Sequence, residues 1–178
     1  MPFLKLNPEI QKILTSLEIT TPTPFQSKAI PVIKSGAHVY CIAPKNSGKT
    51  TSLILTTLQK LKCRAIGDAP RAVILVENSG RAQELEEAFQ AYTKNTDLRV
   101  YVAYEELHID VRKSEIFMGV DILIATSRSM KNLLVSNGVC VTEIKIFSVD
   151  DAEFLIQKAP YSDMMLITQS VKIGRAHV

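Results

Sequence analysis

Nowhere in the 178 residues is there an apolar run long enough to span a bilayer, and "MPFLKLNPEI" lacks the basic-then-apolar layout of a signal peptide. Cysteine is sparse. Cys41, Cys63 and Cys140 lie far apart with no C-x-x-C pair. Such an odd, scattered set reads as reduced, buried thiols of a cytosolic or nuclear protein rather than a disulfide framework. The three histidines have no metal-like spacing, and His38 and His108 read as structural. Charge of one sign is also lacking: the net +3 is compatible with nucleic-acid binding but too mild to argue for it. Internal repeats, low-complexity tracts and linkers are absent. What remains is globular composition, 46% hydrophobic and 22% charged, on a length that suits one domain.

Asn7-Pro8-Glu9 supplies a cap, a first-turn proline and an acid at a helix start, followed by an apolar face of Ile10, Ile13, Leu14 and Leu17. Thr23-Pro24 opens a second helix that ends near Ser35-Gly36. Beyond it, six short apolar segments (38–43, 72–77, 98–104, 121–126, 144–149 and 163–168) read as strands. Helical patterns such as "SGRAQELEEAFQAY" and "SRSMKNLLVS" lie between them. Apolar strands interleaved with helices imply an α/β fold, a mostly parallel sheet covered on both faces, whose ligands bind at the carboxyl ends of the strands.

Residues 43–50 fit A-x-x-x-x-G-K-T between a predicted strand and a predicted helix, the setting a phosphate-binding loop requires. The candidate phosphate cradle is Ala43, Pro44, Lys45, Asn46, Ser47, Gly48, Lys49 and Thr50. Backbone N–H groups and the helix start face phosphate oxygens, Lys49 adds a full charge, and the Thr50 hydroxyl is a magnesium ligand. Gly48 lets the backbone approach closely. Asn46 stands where a second glycine is often found, and asparagine is the side chain that best tolerates positive φ. Pro44 removes one N–H. The acidic partner of such a loop follows another apolar strand: 144–149 runs into Asp150, the candidate metal ligand, and Asp151.

"LKLNPEIQKILTSLEITTPTPFQ" resembles the Q-motif segment of DEAD-box RNA helicases, whose pattern is a capped helix, G-F-x-x-P-T-P-I-Q, a second helix and A-x-x-G-x-G-K-T. Pro22, Thr23, Pro24 and Gln26 keep their places; Glu18 and Ile19 stand for the G-F pair and Phe25 for isoleucine. The position of the family's upstream aromatic falls at Met1. The resemblance covers nearly the whole chain and implies a RecA-like P-loop lobe, the first of two. Residues 1–36 would be the Q-motif region and 37–172 the ATP-binding domain. Gln26 would read adenine through its amide, supported by Thr23. Lys49, Asp150 and Asp151 would be catalytic, with ATP and Mg2+ bound.

Several motifs depart from the family. "VDDAE" (149–153) replaces V-D-E-A-D, so Asp151 stands for the water-polarising glutamate. One methylene fewer withdraws that carboxylate by about 1.5 Å, a displacement of the order that costs ~10²-fold in rate. "ENSGRAQ" (77–83) replaces P-T-R-E-L-A-Q, keeping only Ala82 and Gln83; "TSRS" (126–129) replaces T-P-G-R, and "TQS" (168–170) replaces S-A-T. Thr126 still caps a predicted helix suited to a phosphate, with Arg128 and Lys131 near enough to add charge, although two solvated basic residues on a helix are an equal reading.

This drift resembles the helicase-like region of Tudor-domain proteins of germline small-RNA (piRNA) silencing, which would imply silencing-complex partners besides RNA and a place in cytoplasmic ribonucleoprotein granules, with the nucleus as the other location. Membrane partners are not expected. Without a second lobe to complete the ATP site, the chain is expected to bind ATP weakly and hydrolyse it negligibly. Three readings of the parent follow: an RNA helicase, a helicase-derived ATP-binding scaffold, or an unrelated P-loop ATPase, which the "PTPFQ" spacing disfavours. Finally, "IGRAHV" (173–178) is what a common short-read sequencing adapter encodes in one frame, and it is set aside as an artefact.

Overall fold

The computed structural model describes residues 3–171; the expectations for Met1 and for 173–178 fall outside them. The chain divides into two compact units, Met1–Cys63 and Arg64–Val178.

The first unit is helical. Helix α1 (Pro8–Ser16) begins as expected: the Asn7 side chain accepts from the Glu9 N–H, and Pro8 takes the first helical position. Its apolar face buries Ile10, Ile13 and Leu14, while Leu17 caps the end half-buried. Helix α2 (Pro24–Lys34) opens with a capping box in which Thr23 and Gln26 satisfy each other's backbone N–H, and Gly36 follows at φ 89°. Helix α3 (Lys49–Leu61) buries Ile54, Leu55, Leu58 and Leu61.

The segment 38–43, expected as a strand, is irregular, and Tyr40 and Ile42 are 82% and 85% exposed. An apolar β-type sequence cannot hydrogen-bond to itself as a helix does, and the helical unit supplies no ladder for it.

The second unit holds a four-stranded parallel sheet: β1 (Ala72–Val76), β2 (Val100–Ala103), β3 (Ile122–Thr126) and β4 (Ile146–Val149), in the order β2-β3-β1-β4. Helices α4 (Ser79–Thr93), α5 (Ile109–Phe117), α6 (Ser127–Val135) and α7 (Lys158–Ser170) accompany it. The α/β expectation therefore holds. Central β1 and β3 are buried throughout, which is why they read as unbroken apolar runs, whereas the edge strand β4 is half-buried.

The sixth expected strand, 163–168, is part of α7. Periodicity cannot separate a short apolar run into helix or strand. Met164, Met165 and Leu166 are unbranched at Cβ and suit a helix, in which Ile167 is buried against the Leu123–Met130–Leu133 core. "TQS" is thus the end of a helix. The cysteine expectation also needs correcting: only Cys63 is buried, its thiol pushed up to about 11 by burial and then by Glu9, while Cys41 and Cys140 are exposed. His108 is structural, as expected, capping α5 by accepting from the Asp110 N–H.

At the amino ends of the strands, the Asp121 carboxylate is fully buried. It accepts from Arg71 Nη2 at 2.6 Å, Arg99 Nε at 2.9 Å, the Arg99 N–H at 3.0 Å and the Ile66 N–H at 3.3 Å. Burial pushes this carboxyl up, but the hydrogen bonds from Arg99 and Arg71 outweigh it and hold the group below its ordinary value. Its stabilisation is therefore complete above the unfolded-state value of about 3.9 and is lost as pH falls through the lower folded-state value. We expect Asp121→Asn, which strands a buried guanidinium, to cost roughly 3–5 kcal/mol at neutral pH. Urea denaturation across an acid series should show the gap to wild type shrinking below that unfolded-state value; a gap independent of pH would refute the assignment.

Candidate functional site

The phosphate loop and Q-motif residues lie together in the helical unit. The loop turns through two left-handed residues, Asn46 at φ 59° and Gly48 at φ 90°, before α3 begins at Lys49. Asn46 thus takes the conformation that the missing glycine would have supplied. Lys49 Nζ donates to the Ala43 carbonyl at 3.0 Å, closing the loop on itself. The Ser52 N–H and hydroxyl both donate to the Gly48 carbonyl at 3.0 Å, satisfying the first turn of α3.

A second set of bonds ties this loop to the α2 cap. The Thr23 hydroxyl accepts from the Gln26 N–H at 3.1 Å and donates to the Ser47 carbonyl at 2.6 Å. Gln26 is buried; its Oε1 accepts from the Thr23 N–H at 2.9 Å, and its Nε2 lies 3.5 Å from the Gly48 carbonyl. The amide retains a second N–H and a second lone pair for a ligand. Only glycine fits at 48, since a Cβ there would strike the Gln26 amide. The Ser47 hydroxyl is shielded from solvent with no hydrogen-bond partner among the described residues. An orphaned hydroxyl beside a left-handed glycine at a helix start is what a phosphate-accepting loop presents. Pro44, Lys45 and Asn46 are exposed, and Thr50 is half-buried in the first turn of α3.

The remaining candidates lie in the second unit, where the parallel register brings the strand ends together. Val76 pairs with Thr126 and Leu75 with Val149, so residues following β1, β3 and β4 share the carboxyl edge of the sheet. Asp150 leaves β4 there, 7% exposed, its N–H donating to the Leu75 carbonyl at 2.9 Å. Its carboxylate is taken by Arg81, whose Nε donates to Oδ2 at 2.6 Å while Nη1 reaches Glu84 at 2.9 Å. Asp150 raises the guanidinium's pKa further above its already high ordinary value, so Arg81 stays protonated at every working pH. Asp151 is exposed in the left-handed region, φ 46°, where the chain turns into the 3₁₀ helix Ala152–Ile156.

Thr126 caps α6 as expected, accepting from the Ser129 N–H at 3.1 Å, and its hydroxyl also donates to Glu105. Arg128 is 74% exposed and lies 4.0 Å from Glu105, while Lys131 Nζ bonds Asp163 at 2.7 Å. The basic residues proposed for RNA therefore have acidic neighbours. Arg81, Glu105 and Asp163 were not legible as site residues. Arg81 follows the Asn78 cap by three positions, a signal of placement in the helix, but nothing in the sequence says that β4 lies beside β1.

The model of DEAD/DEAH box helicases matches residues 23–177. The chain belongs to the DEAD/DEAH box helicase family. It is 28% identical over 176 residues to the probable ATP-dependent RNA helicase DDX46 of Homo sapiens, covering 94% of this chain and 17% of that protein. The pre-mRNA-processing ATP-dependent RNA helicase prp-5 of Neurospora crassa is 30% identical over 168 residues, 91% of this chain and 14% of its own length. The corresponding helicase PRP5 of Lodderomyces elongisporus is 29% identical over 136 residues, 75% of this chain and 14% of its own. The chain thus spans less than a fifth of the length of these curated relatives.

Family membership identifies the α/β core as consistent with a RecA-like helicase lobe, and DEAD-box helicases use ATP, usually with Mg2+. The turn at Asn46 and Gly48 and the orphaned Ser47 hydroxyl fit a phosphate group. The metal fits less well, since a guanidinium already holds one Asp150 oxygen. Among the described residues, no three His, Cys, Asp or Glu side chains converge as a metal site.

Thr23→Val keeps the side chain's shape but removes both hydroxyl bonds. We expect it to cost about 1–2 kcal/mol in urea denaturation and to weaken nucleotide binding, because the tether to Ser47 goes with the cap. Unchanged stability would mean that Thr23 does not hold the loop.

Proposed function

We propose that this chain is the ATP-binding lobe of an ATP-dependent RNA helicase that remodels RNA or RNA–protein complexes. The observation that carries this reading is the preformed loop at 43–50, closed by Lys49 on Ala43, turned by Asn46 and Gly48, and tied to Thr23 and Gln26. In this reading the loop's N–H groups bind the phosphates. Lys49 exchanges the Ala43 carbonyl for a phosphate oxygen, and Gln26 selects adenine with its remaining donor and acceptor. Thr50 in the loop and Asp150 at the sheet edge would each be a magnesium ligand, and the metal would supply positive charge at the outer phosphates. Asp151 positions the attacking water. RNA phosphates meet the start of α6 at Thr126, with Arg128 and Lys131 alongside. The parent's second RecA-like lobe supplies the cations that complete the ATP site.

A second reading has a specific observation behind it. Arg128 and Lys131 face Glu105 and Asp163, and Asp150 faces Arg81, so three groups needed for RNA and metal already have partners of opposite charge. Such a lobe would bind ATP and serve as a scaffold with little turnover. The setting we propose is cytoplasmic, in ribonucleoprotein granules. A piRNA-silencing role with silencing-complex partners rests on motif drift alone, and the three relatives named above lend it no support.

ATP binding to the 178-residue chain should fall at least about tenfold in Lys49→Ala, and Gln26→Ala should erase the preference for ATP over GTP. Nucleotide affinity that neither change touches would overturn the assignment. In the full-length parent, RNA-stimulated ATPase that Lys49→Ala abolishes would establish the motor; ATP binding without stimulation would establish the scaffold.

A further inference from the structure

The mild net charge of +3 hides a division within the chain. The helical unit, Met1–Cys63, carries eight lysines and no arginine against two acids, Glu9 and Glu18, a formal charge of +6. The remainder, Arg64–Val178, is therefore −3. Such asymmetry between two parts of a chain points to a polyanionic partner for the basic part.

The fold gathers four of these lysines. Helices α2 and α3 start together, joined through Thr23, Gln26, Ser47 and Gly48, and pack along one another. Their 11 and 13 residues extend roughly 17 and 20 Å. Both last turns thus lie at the end of the unit away from the phosphate loop. Lys34 closes α2, Lys60 lies in the last turn of α3, and Lys62 is the C-cap of α3. Two bonds bring the amino-terminal turn Phe3–Lys5 to the same end: Lys34 Nζ donates to the Lys5 carbonyl, and the Asn7 N–H donates to Gln59 Oε1 at 2.7 Å. Lys5, Lys34, Lys60 and Lys62 are all exposed, and among the described residues none of them is ion-paired. Glu9 adds to burial in raising the Cys63 thiol, which places one acid here. Helix ends favour cations, so Lys34 and Lys60 complement the partial negative charge of their last turns. That local role does not account for Lys5, nor for a lysine in place of glycine at the left-handed C-cap, where Lys62 has φ 57°.

We propose that this lysine-rich end of the helical unit is a further RNA-binding surface, which takes the sugar–phosphate backbone without reading sequence. The proposal rests on the RNA of the reading above and goes beyond where that reading places it, at the start of α6. Lysine is a compact point charge with three donors, suited to a phosphate oxygen. Base edges are read by arginine forks and amides instead, and the unit has no arginine. Phe3, the aromatic of the amino-terminal turn, is buried and offers no ring on which a base could stack. Contacts of this kind position a backbone and carry no sequence information.

Fluorescence anisotropy of labelled oligo(U), read across a salt series on the whole 178-residue chain, tests the surface. The variant is the triple change Lys5→Gln, Lys60→Gln and Lys62→Gln; Lys34 stays, because its Nζ holds the Lys5 carbonyl. A matched control, Lys28→Gln, Lys94→Gln and Lys145→Gln, removes three exposed charges elsewhere. The lysine-end variant should bind at least about tenfold more weakly at low salt, with the slope of log K against log salt shallower by about 2. The control should stay within about threefold of wild type. Lys→Arg at the same three end positions keeps the charge and should bind as wild type does. Oligo(A) should match oligo(U) in affinity and salt slope, and circular dichroism verifies the fold of each protein. Equal losses in the variant and the control would reduce the effect to net charge and overturn the surface. Unchanged binding in the lysine-end variant would overturn it too, while leaving RNA at α6 standing. Tighter binding to poly-glutamate than to RNA would overturn the RNA assignment in favour of an acidic protein. No RNA binding by wild type would overturn this surface and the α6 contact together.

Discussion

One buried carboxylate organises the sheet. Asp121 lies just before β3, Arg71 just before β1 and Arg99 just before β2, and all three meet in one hydrogen-bonded knot. The Arg71 carbonyl also accepts from the N–H groups of Lys145 and Ile146, which enters β4 in the same register. Four strand starts are therefore referred to three adjacent residues. Parallel pairing alone tolerates slippage when every side chain is aliphatic; a charge buried in one place does not, because a shift would leave it unpaired. The knot lies at the amino ends, so the chemistry at the carboxyl ends inherits its register from a cluster that takes no part in it.

In the helical unit, order comes from economy of polar groups. The Thr23 hydroxyl serves the α2 cap and the Ser47 carbonyl at once, and the Gln26 amide serves that cap while lying against Gly48. A residue that could be assigned solely to reading a base is thus also part of the mechanical support of the phosphate loop. Within the loop, left-handed backbone at Asn46 and Gly48 lets successive N–H groups face one way.

Electrostatic pairing dominates the carboxyl edge of the sheet. Arg81 with Asp150, Thr126 and Arg128 with Glu105, and Lys131 with Asp163 are all couplings across different elements. Exposed members such as Arg128 lose little by exchanging a distant carboxylate for a phosphate. The shielded pair at Asp150 is another matter, since separation there exposes a charge to a poor dielectric. Motif letters alone overstate how available such residues are.

Local features were legible from the sequence because local physics decides them. Asn7, Thr23 and Thr126 cap helices through side chains that reach only two or three residues, and Asn46 adopts positive φ through its own backbone energetics. The alternation that gives β1, β2, β3, β4 and the helices α4 and α6 is likewise written in runs of adjacent residues. Two apolar runs were misread, 38–43 and 163–168, because a strand exists only where another strand offers hydrogen bonds, and a short run of apolar side chains does not say whether one will. The Asp121 knot and the Arg81–Asp150 pair, 50 and 69 residues apart in the chain, were invisible for the same reason. Composition and spacing determined which residues carry chemistry; strand order, fixed only by tertiary packing, decided which charges meet.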